Sequence, residues 1–534
     1  MGWDRKIMDF SWDFQYVSQR MPVLAKNVVA TSQPLAAQAG LKMLHNGGNA
    51  VDAALATAIT LTVVEPTSNG LGSDAFAILW DGNRLHGVNG SGRSPRARSF
   101  EKFAGRTSMP LRGWDTVTVP GAVSVWSALS ERFGRLPFAD LFEPAIHYAE
   151  NGFAVSPITA KRWVEAEQIF KDYPDFARVF LPRGRAPHIG ERFICTPQAR
   201  TLEEIAASRG ESFYRGKLAE RIATYAASSG GDLSAKDLAE HHTDWVAPIS
   251  IDYHGIELHE IPPNGQGLAA LIALGLLRHL DIRNYAVDSA DSVHLQIEAM
   301  KIAFAEAHRH IADPATMDTD PYDLLDDAFL EKRAKQIRLD EAHFPEAAMP
   351  VEKGTVYLTA ADDSGMMVSF IQSNYMGFGS GIVDPQTGIS FQNRGTAFSL
   401  EKNHPNCIAG GKRPFHTIIP GFITQNNGPL MSFGVMGGHM QPQGHVQMVL
   451  RIFDYGQNPQ AASDAPRWQV GTDHVVALEK GFDKRVADEL HHRGHKIATK
   501  VPASKFGGAQ LIAKITDGYC AASDHRKDGQ AVGF

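Results

Sequence analysis

Cysteine is scarce in this 534-residue chain: Cys195, Cys407 and Cys520 are its three. They are odd in number and far apart, which argues against a disulfide framework and for a reducing compartment. Metal signatures are missing too. There are 22 histidines, yet no His-Glu-x-x-His or Cys-x-x-Cys spacing occurs, so neither a metal nor another cofactor is expected. No Gly-x-Ser-x-Gly elbow is present, and the Ser-x-x-Lys matches at Ser99–Lys102 and Ser399–Lys402 lack the companion motifs that would give them meaning. The longest apolar stretches, residues 53–64 and 268–277, are too short to span a bilayer, so no membrane partner is expected. Residues 1–20 mix charges with aromatics instead of forming an apolar signal segment, and the expectation is a cytoplasmic protein.

Charge of one sign is also lacking. A net charge of −7, with both signs interspersed, marks no nucleic-acid surface. Hydrophobic residues at 43% and charged residues at 21% are those of a globular protein with ample core material. Two glycine-rich stretches, Gly47-Gly48-Asn49 and Gly377-Phe378-Gly379-Ser380-Gly381, raise a non-catalytic nucleotide-binding protein as an alternative. Neither forms a strand, G-x-G-x-x-G and helix in succession, and no Walker lysine follows, which weighs against it.

What is present is a hairpin with a threonine at its head. Val356 to Ala361 and Met367 to Gln372 alternate around an Asp362-Asp363-Ser364-Gly365 turn, and a polar run from Lys335 to Lys353 with two prolines, which reads as an exposed linker, precedes them. Thr355 can be read as an ordinary β-branched residue opening a strand. It can also be read as a nucleophile. If the chain were cut at Gly354-Thr355, the freed α-amine, with a pKa of about 7.7–8.0, would supply the base that a threonine hydroxyl needs.

Helical spacing covers Pro34 to Leu44, stopped by Gly47-Gly48. Asn49 is placed to cap a second helix, Val51 to Val63, apolar on nearly every face and hence buried. Asp291 to Ile311 reads as a long amphipathic helix. After Thr355, hairpin turns at Gly388, Asn426-Asn427-Gly428 and Asp517-Gly518 indicate short strands, so helices are expected early and strands late.

A series of ordered segments resembles the gamma-glutamyltransferase family of N-terminal-nucleophile hydrolases. They include Gly47-Gly48-Asn49-Ala50-Val51-Asp52-Ala53-Ala54, Glu65-Pro66, Ile261-Pro262-Pro263-Asn264-Gly265-Gln266-Gly267, Gly354-Thr355, Met436-Gly437-Gly438 and Ala522-Ser523-Asp524-His525-Arg526. The wording Ser373-Asn374-Tyr375-Met376-Gly377 and Met440-Gln441-Pro442-Gln443 is most similar to a non-secreted bacterial glutathione-hydrolase-like branch near oxamate amidohydrolase. The resemblance implies an α+β fold, a four-layered αββα sandwich. It also implies autocatalytic conversion of a zymogen into a large subunit, 1–354, and a small subunit, 355–534, in one intertwined body, leaving assembly of these heterodimers into a homo-oligomer open.

The resemblance further assigns Thr355 as nucleophile, Gly354-Thr355 as cleavage site, Ser373 as the hydroxyl beside the nucleophile and Gly437-Gly438 as oxyanion hole. Substrate-binding positions fall on Arg93, Tyr375, Asn393, Arg394, His416 and Thr417, with Ala397 where relatives carry an aspartate. Acidic and amide groups that receive an α-ammonium in glutathione-processing relatives are thus replaced by an arginine and an alanine. Arginine repels an ammonium and binds a carboxylate bidentately. The expected activity is hydrolysis of γ-glutamyl amides such as glutathione, favoured over transfer. The alternative is hydrolysis of a dicarboxylic monoamide, of oxamate or glutaryl type, lacking that ammonium.

Overall fold

The computed structural model describes residues 19–345, 354–471 and 473–534; the proposed linker therefore lies partly outside the described residues. Among the described residues fourteen strands build the two central sheets. From the first part of the chain come β1 (Val23–Ala25), β2 (Val28–Thr31), β3 (Asp74–Trp80), β4 (Leu85–Asn89), β5 (Asp244–Val246), β6 (Ile249–Tyr253) and β7 (Ile256–Glu260). After residue 354 follow β8 (Val356–Ala361), β9 (Met367–Ser373), β10 (Gly421–Gln425), β11 (Gly428–Met436), β12 (Gly508–Ile515), β13 (Gly518–Ser523) and β14 (Gln530–Gly533). One sheet runs β14-β2-β8-β9-β3-β4-β5 and the other β1-β13-β12-β11-β10-β7-β6. The expectation of helices early and strands late is corrected here, because both halves of the chain contribute strands to both sheets. The early strands are short and separated by long helical insertions, which hides their alternation in the sequence.

Alternation decides the layering. Along the first sheet Val29, Ala77, Leu358, Val368 and Phe370 face a helical layer, while Val28, Phe76, Ile78, Tyr357 and Ile371 face the second sheet, meeting Phe422, Met436 and Ile512. These are the two faces that a period of two must produce. The helical layer on the first sheet contains α1 (Pro34–His45) and α2 (Ala50–Val64). Asn49 and Asp52 form a reciprocal capping box at the start of α2, and every residue of α2 is buried, as its apolar surface requires. α3 (Pro157–Phe170) adds to the same cluster. On the outer face of the second sheet lie α4 (Gly267–Arg278), α5 (Ala290–His310) and α6 (Met440–Val449). Helix, sheet, sheet and helix stack in that order, the αββα sandwich that the resemblance implied. Among the described residues no helix is long and apolar enough to cross a membrane.

The polar stretch leading to residue 354 is less free than its composition suggested. His294 reaches the carbonyl of Arg338 at 2.7 Å, and Glu298 accepts from the His343 amide at 2.9 Å. Lys301 donates to the His343 carbonyl at 3.0 Å and to Glu298 at 2.8 Å. His294, Glu298 and His495 are grouped closely enough to resemble a metal-ligand set, but the Lys301 ammonium is bonded into that group as its cation, 3.3 Å from His495.

Candidate active site

β8 is the third strand of its sheet, paired to β2 on one side and β9 on the other. Its first residues, Val356 and Tyr357, pair with Gln372 and Ile371 of β9, and pairing with β2 begins at Leu358. Thr355 lies just before β8 and is 2% exposed. Its Oγ1 lies 2.7 Å from the carbonyl oxygen of the preceding Gly354 and 3.3 Å from Ser373 Oγ. Ser373 ends β9, donates to the same Gly354 carbonyl at 2.8 Å and accepts from the Tyr375 amide at 2.7 Å. A hydroxyl relay thus runs from Thr355 through Ser373 to the carbonyl next to Thr355. Gly354 has φ +123, a conformation that L side chains rarely adopt.

The second sheet brings the Gly437-Gly438 turn towards this point. Thr359 Oγ1 is 2.6 Å from Ser432 Oγ, and the Tyr357 ring lies on Gly434, leaving no room there for a β-carbon. Two residues back along β8 thus correspond to two residues forward along β11, and the next step leads from Thr355 to Met436, which the glycine pair follows. Gly437 and Gly438 have φ +130 and +60; glycine is needed for this turn. Gln266, at the start of α4, locks it. Its Nε2 donates to the carbonyls of Gly438, at 3.0 Å, and Thr417, at 2.5 Å, while its Oε1 is 3.1 Å from His439 Nδ1. Burial, with His308 beside it, holds His439 well below the ordinary histidine range, so it is neutral and its Nδ1–H donates.

Beside the relay, Tyr375 adopts φ +76, and the Arg394 guanidinium carbon lies 4.7 Å from the centre of its ring. Arg394 is fully buried and its Nη1 donates to Thr417 Oγ1 at 2.8 Å. Asn393 accepts from the Met376 amide at 3.1 Å and donates to the Leu111 carbonyl at 2.9 Å, tethering the 374–377 turn. His416 is buried with Asp74. Its Nδ1 lies 3.4 Å from the Ile418 amide, which donates to it, so the proton sits on Nε2 and is given to Asp74 at 3.1 Å. Burial raises the Asp74 carboxyl to about 7 against the opposing pull of Arg394 and the Gly121 amide. Burial, reinforced by Arg394 and Arg413, lowers His416 well below its usual value.

The structure thus brings together Gly354, Thr355, Ser373, Tyr375, Arg394 and Thr417, with Asn393 in support. It does not bring Arg93 with them. That side chain pairs with Asp313 at 2.8 Å and lines a separate cleft with His241, His242 and Arg413. His416 is committed to Asp74 by one ring nitrogen and to the backbone by the other. Gln266 and Asp74 were not identified as site residues from sequence. Gln266 stands in a segment that the resemblance had already singled out, whereas nothing in the local sequence marks Asp74.

The family model for gamma-glutamyltranspeptidase matches residues 36–534. The chain is 36% identical over 519 residues to the glutathione hydrolase-like YwrD proenzyme of Bacillus subtilis, covering 95% of this chain and 98% of that protein. It is also 36% identical over 515 residues to the oxamate amidohydrolase proenzyme of Klebsiella pneumoniae, covering 94% and 97%. Among solved structures it is similar to the cephalosporin acylase from Bacillus halodurans, with TM-score 0.95, 48% identity and 99% of both chains covered.

Proposed function

Because the chain belongs to the gamma-glutamyltranspeptidase family, we propose that it is a proenzyme that cuts itself between Gly354 and Thr355. The product then hydrolyses amides of carboxylate-bearing acyl groups that lack an α-ammonium, of oxamate or glutaryl type. The observation that carries the substrate reading is Arg394, buried on Tyr375 and bonded to Thr417, where an ammonium-binding site would need acceptors.

In maturation, Thr355 Oγ1 attacks the Gly354 carbonyl carbon. Its proton passes to Ser373, whose hydroxyl also supports the oxyanion on the Gly354 carbonyl; as the carbonyl reforms, the proton is delivered to the peptide nitrogen, which leaves as the α-amine of Thr355, and water hydrolyses the resulting ester. The 1–354 and 355–534 pieces stay together because both central sheets are built from both. In turnover, the freed α-amine takes the Thr355 hydroxyl proton and the hydroxyl attacks the substrate amide carbon. The Gly437 and Gly438 amides receive the oxyanion, and the amine, now protonated, donates to the leaving nitrogen. Water then releases the acyl group. Arg394, with Thr417, holds the acyl carboxylate bidentately. Gln266, Asn393 and the His416–Asp74 pair act through other groups: they fix the turns that present the glycine amides and Arg394. The 399–411 loop is short and folded on itself, with Ser399 and Asn406 bonded backbone to backbone at 3.0 Å, and a short loop over the site favours hydrolysis over transfer.

A second reading, hydrolysis of γ-glutamyl amides, is favoured by the similarity to the glutathione hydrolase-like proenzyme. Initial rates on γ-glutamyl-p-nitroanilide, a glutaryl anilide and oxamate separate the two. A tenfold preference for the γ-glutamyl compound, about 1.4 kcal/mol in the barrier, would overturn the first reading. Normal cutting in Thr355→Ala would overturn self-cleavage by this residue.

A further inference from the structure

An open cleft of about 270 Å³ begins at Gly354 and Gly377, and neither Arg394 nor Thr417 lines it. One wall is a single face of α3, where Arg162, Glu165, Ile169 and Phe170 follow at spacings of three, four and one, so they project to the same side of the helix. Its floor is apolar, from Phe170 and Phe378. Among the described residues its rim carries the cations of Arg162 and Lys505 and one carboxylate, that of Glu165. Arg112 lies over the Phe170 ring at 5.2 Å. Arg162 donates to Ser68 Oγ at 3.3 Å, and among the described residues neither it nor Lys505 pairs with a carboxylate.

We propose that this cleft is the subsite for the amine portion of the substrate, and that it selects amines carrying an apolar body and a carboxylate. The inference rests on Thr355 being the nucleophile. An amide spanning Thr355 needs two places, one on each side of the attacked carbon. The enclosed Arg394–Thr417 position suits the acyl group, which stays bound as an ester until water arrives. The open cleft suits the amine, which must depart first. Its apolar floor accommodates a ring or side chain, and its rim attracts the anionic end at short range, in a partly desolvated setting where the attraction is strengthened.

The test uses two amides with one acyl group, glutaryl-4-aminobenzoate and glutaryl-4-aminobenzamide, which differ only in the charge of the amine portion. The processed enzyme is expected to show a KM at least about tenfold lower for the benzoate, a difference of about 1.4 kcal/mol. In Arg162→Gln/Lys505→Gln that preference should vanish. Rates on the benzamide, self-cleavage and the deacylation rate should stay within about twofold, since the acyl-enzyme is common to both substrates. A preference for the benzoate undiminished in the variant, or a change in deacylation, would overturn the assignment. Calorimetric titration of 4-aminobenzoate against 4-aminobenzamide reads the cleft without chemistry. Tighter binding of the benzoate, lost in the variant, supports the subsite even if neither amide turns over, a result that would instead defeat the glutaryl reading of the acyl group. Equal binding of both probes would overturn the subsite.

Discussion

Gly354 and Gly377 approach so closely that a β-carbon on the first would lie 2.2 Å from the backbone nitrogen of the second. This contact and the φ of +123 at Gly354 fix the carbonyl that Thr355 faces. Gly354→Ala is therefore expected to slow self-cleavage by at least about tenfold, since even 1–3 kcal/mol of strain at this residue shifts the carbonyl out of line. The ratio of intact to cut chain on a denaturing gel over time measures it. Cutting at the parental rate would show that this geometry does not govern the reaction.

Ser373 is the bridge between the Thr355 hydroxyl and the Gly354 carbonyl. Ser373→Ala should slow cutting by about 10²–10³, the usual effect of removing one donor to a developing oxyanion, whereas Ser373→Thr keeps a hydroxyl and should cut to completion. Equal time courses for the two variants would argue against a relay.

The proposed acyl specificity rests on Arg394. Arg394→Gln is expected to raise KM for a glutaryl anilide by about 10²-fold or more, because the substrate carboxylate would then be buried unpaired at about 3–5 kcal/mol. A butyryl anilide, which has no carboxylate, should be affected far less. Parallel losses on both substrates would reassign Arg394 to a structural role.

Asp74 supplies a pH dependence. Its carboxyl is raised to about 7, so it is mostly neutral below that pH and charged above it. The charged form draws on Arg394, and KM for a carboxylate-bearing substrate should rise as pH passes through about 7, with the inflection absent in Asp74→Asn. Stability has its own sign. The folded-state value lies above the ordinary 3.8, so the folded protein binds the extra proton between the two values and Asp74's contribution to stability declines as pH rises across that window. Denaturant melts at pH 4, 5.5 and 8 should show a shallower decline for the variant.

Gln266 holds the Gly438 turn. Gln266→Leu leaves two buried carbonyls without their donor, a cost of about 1–3 kcal/mol each. It is expected to lower kcat more than it raises KM. A change confined to KM would place Gln266 on the substrate side instead.

The hairpin of β8 and β9, the Asn49 cap and the burial of α2 were legible from sequence because each follows from neighbours within a few residues. Thr355 stood out at the head of that hairpin, whereas Ser373 was singled out only by the resemblance. Arg93 was misleading. It stands near in sequence to a motif of the right kind, yet its chain leads it to Asp313 and another cleft. The strands of the first half were obscured by the helices inserted between them, and the polar run before residue 354 gave no sign that Glu298 and Lys301 hold its upstream part.

The sequence by itself determined which residues could do chemistry: a threonine behind a glycine at the head of a hairpin, a hydroxyl at the hairpin's far end and a glycine pair after a strand. Only the tertiary structure decided which charged groups meet there. Arg394 reaches Thr417, and Gln266 reaches Gly438, across intervals of 23 and 172 residues. Electrostatics and hydrogen bonding depend on distance and burial, which chain order does not encode, so these meetings emerge only when the two sheets close on each other.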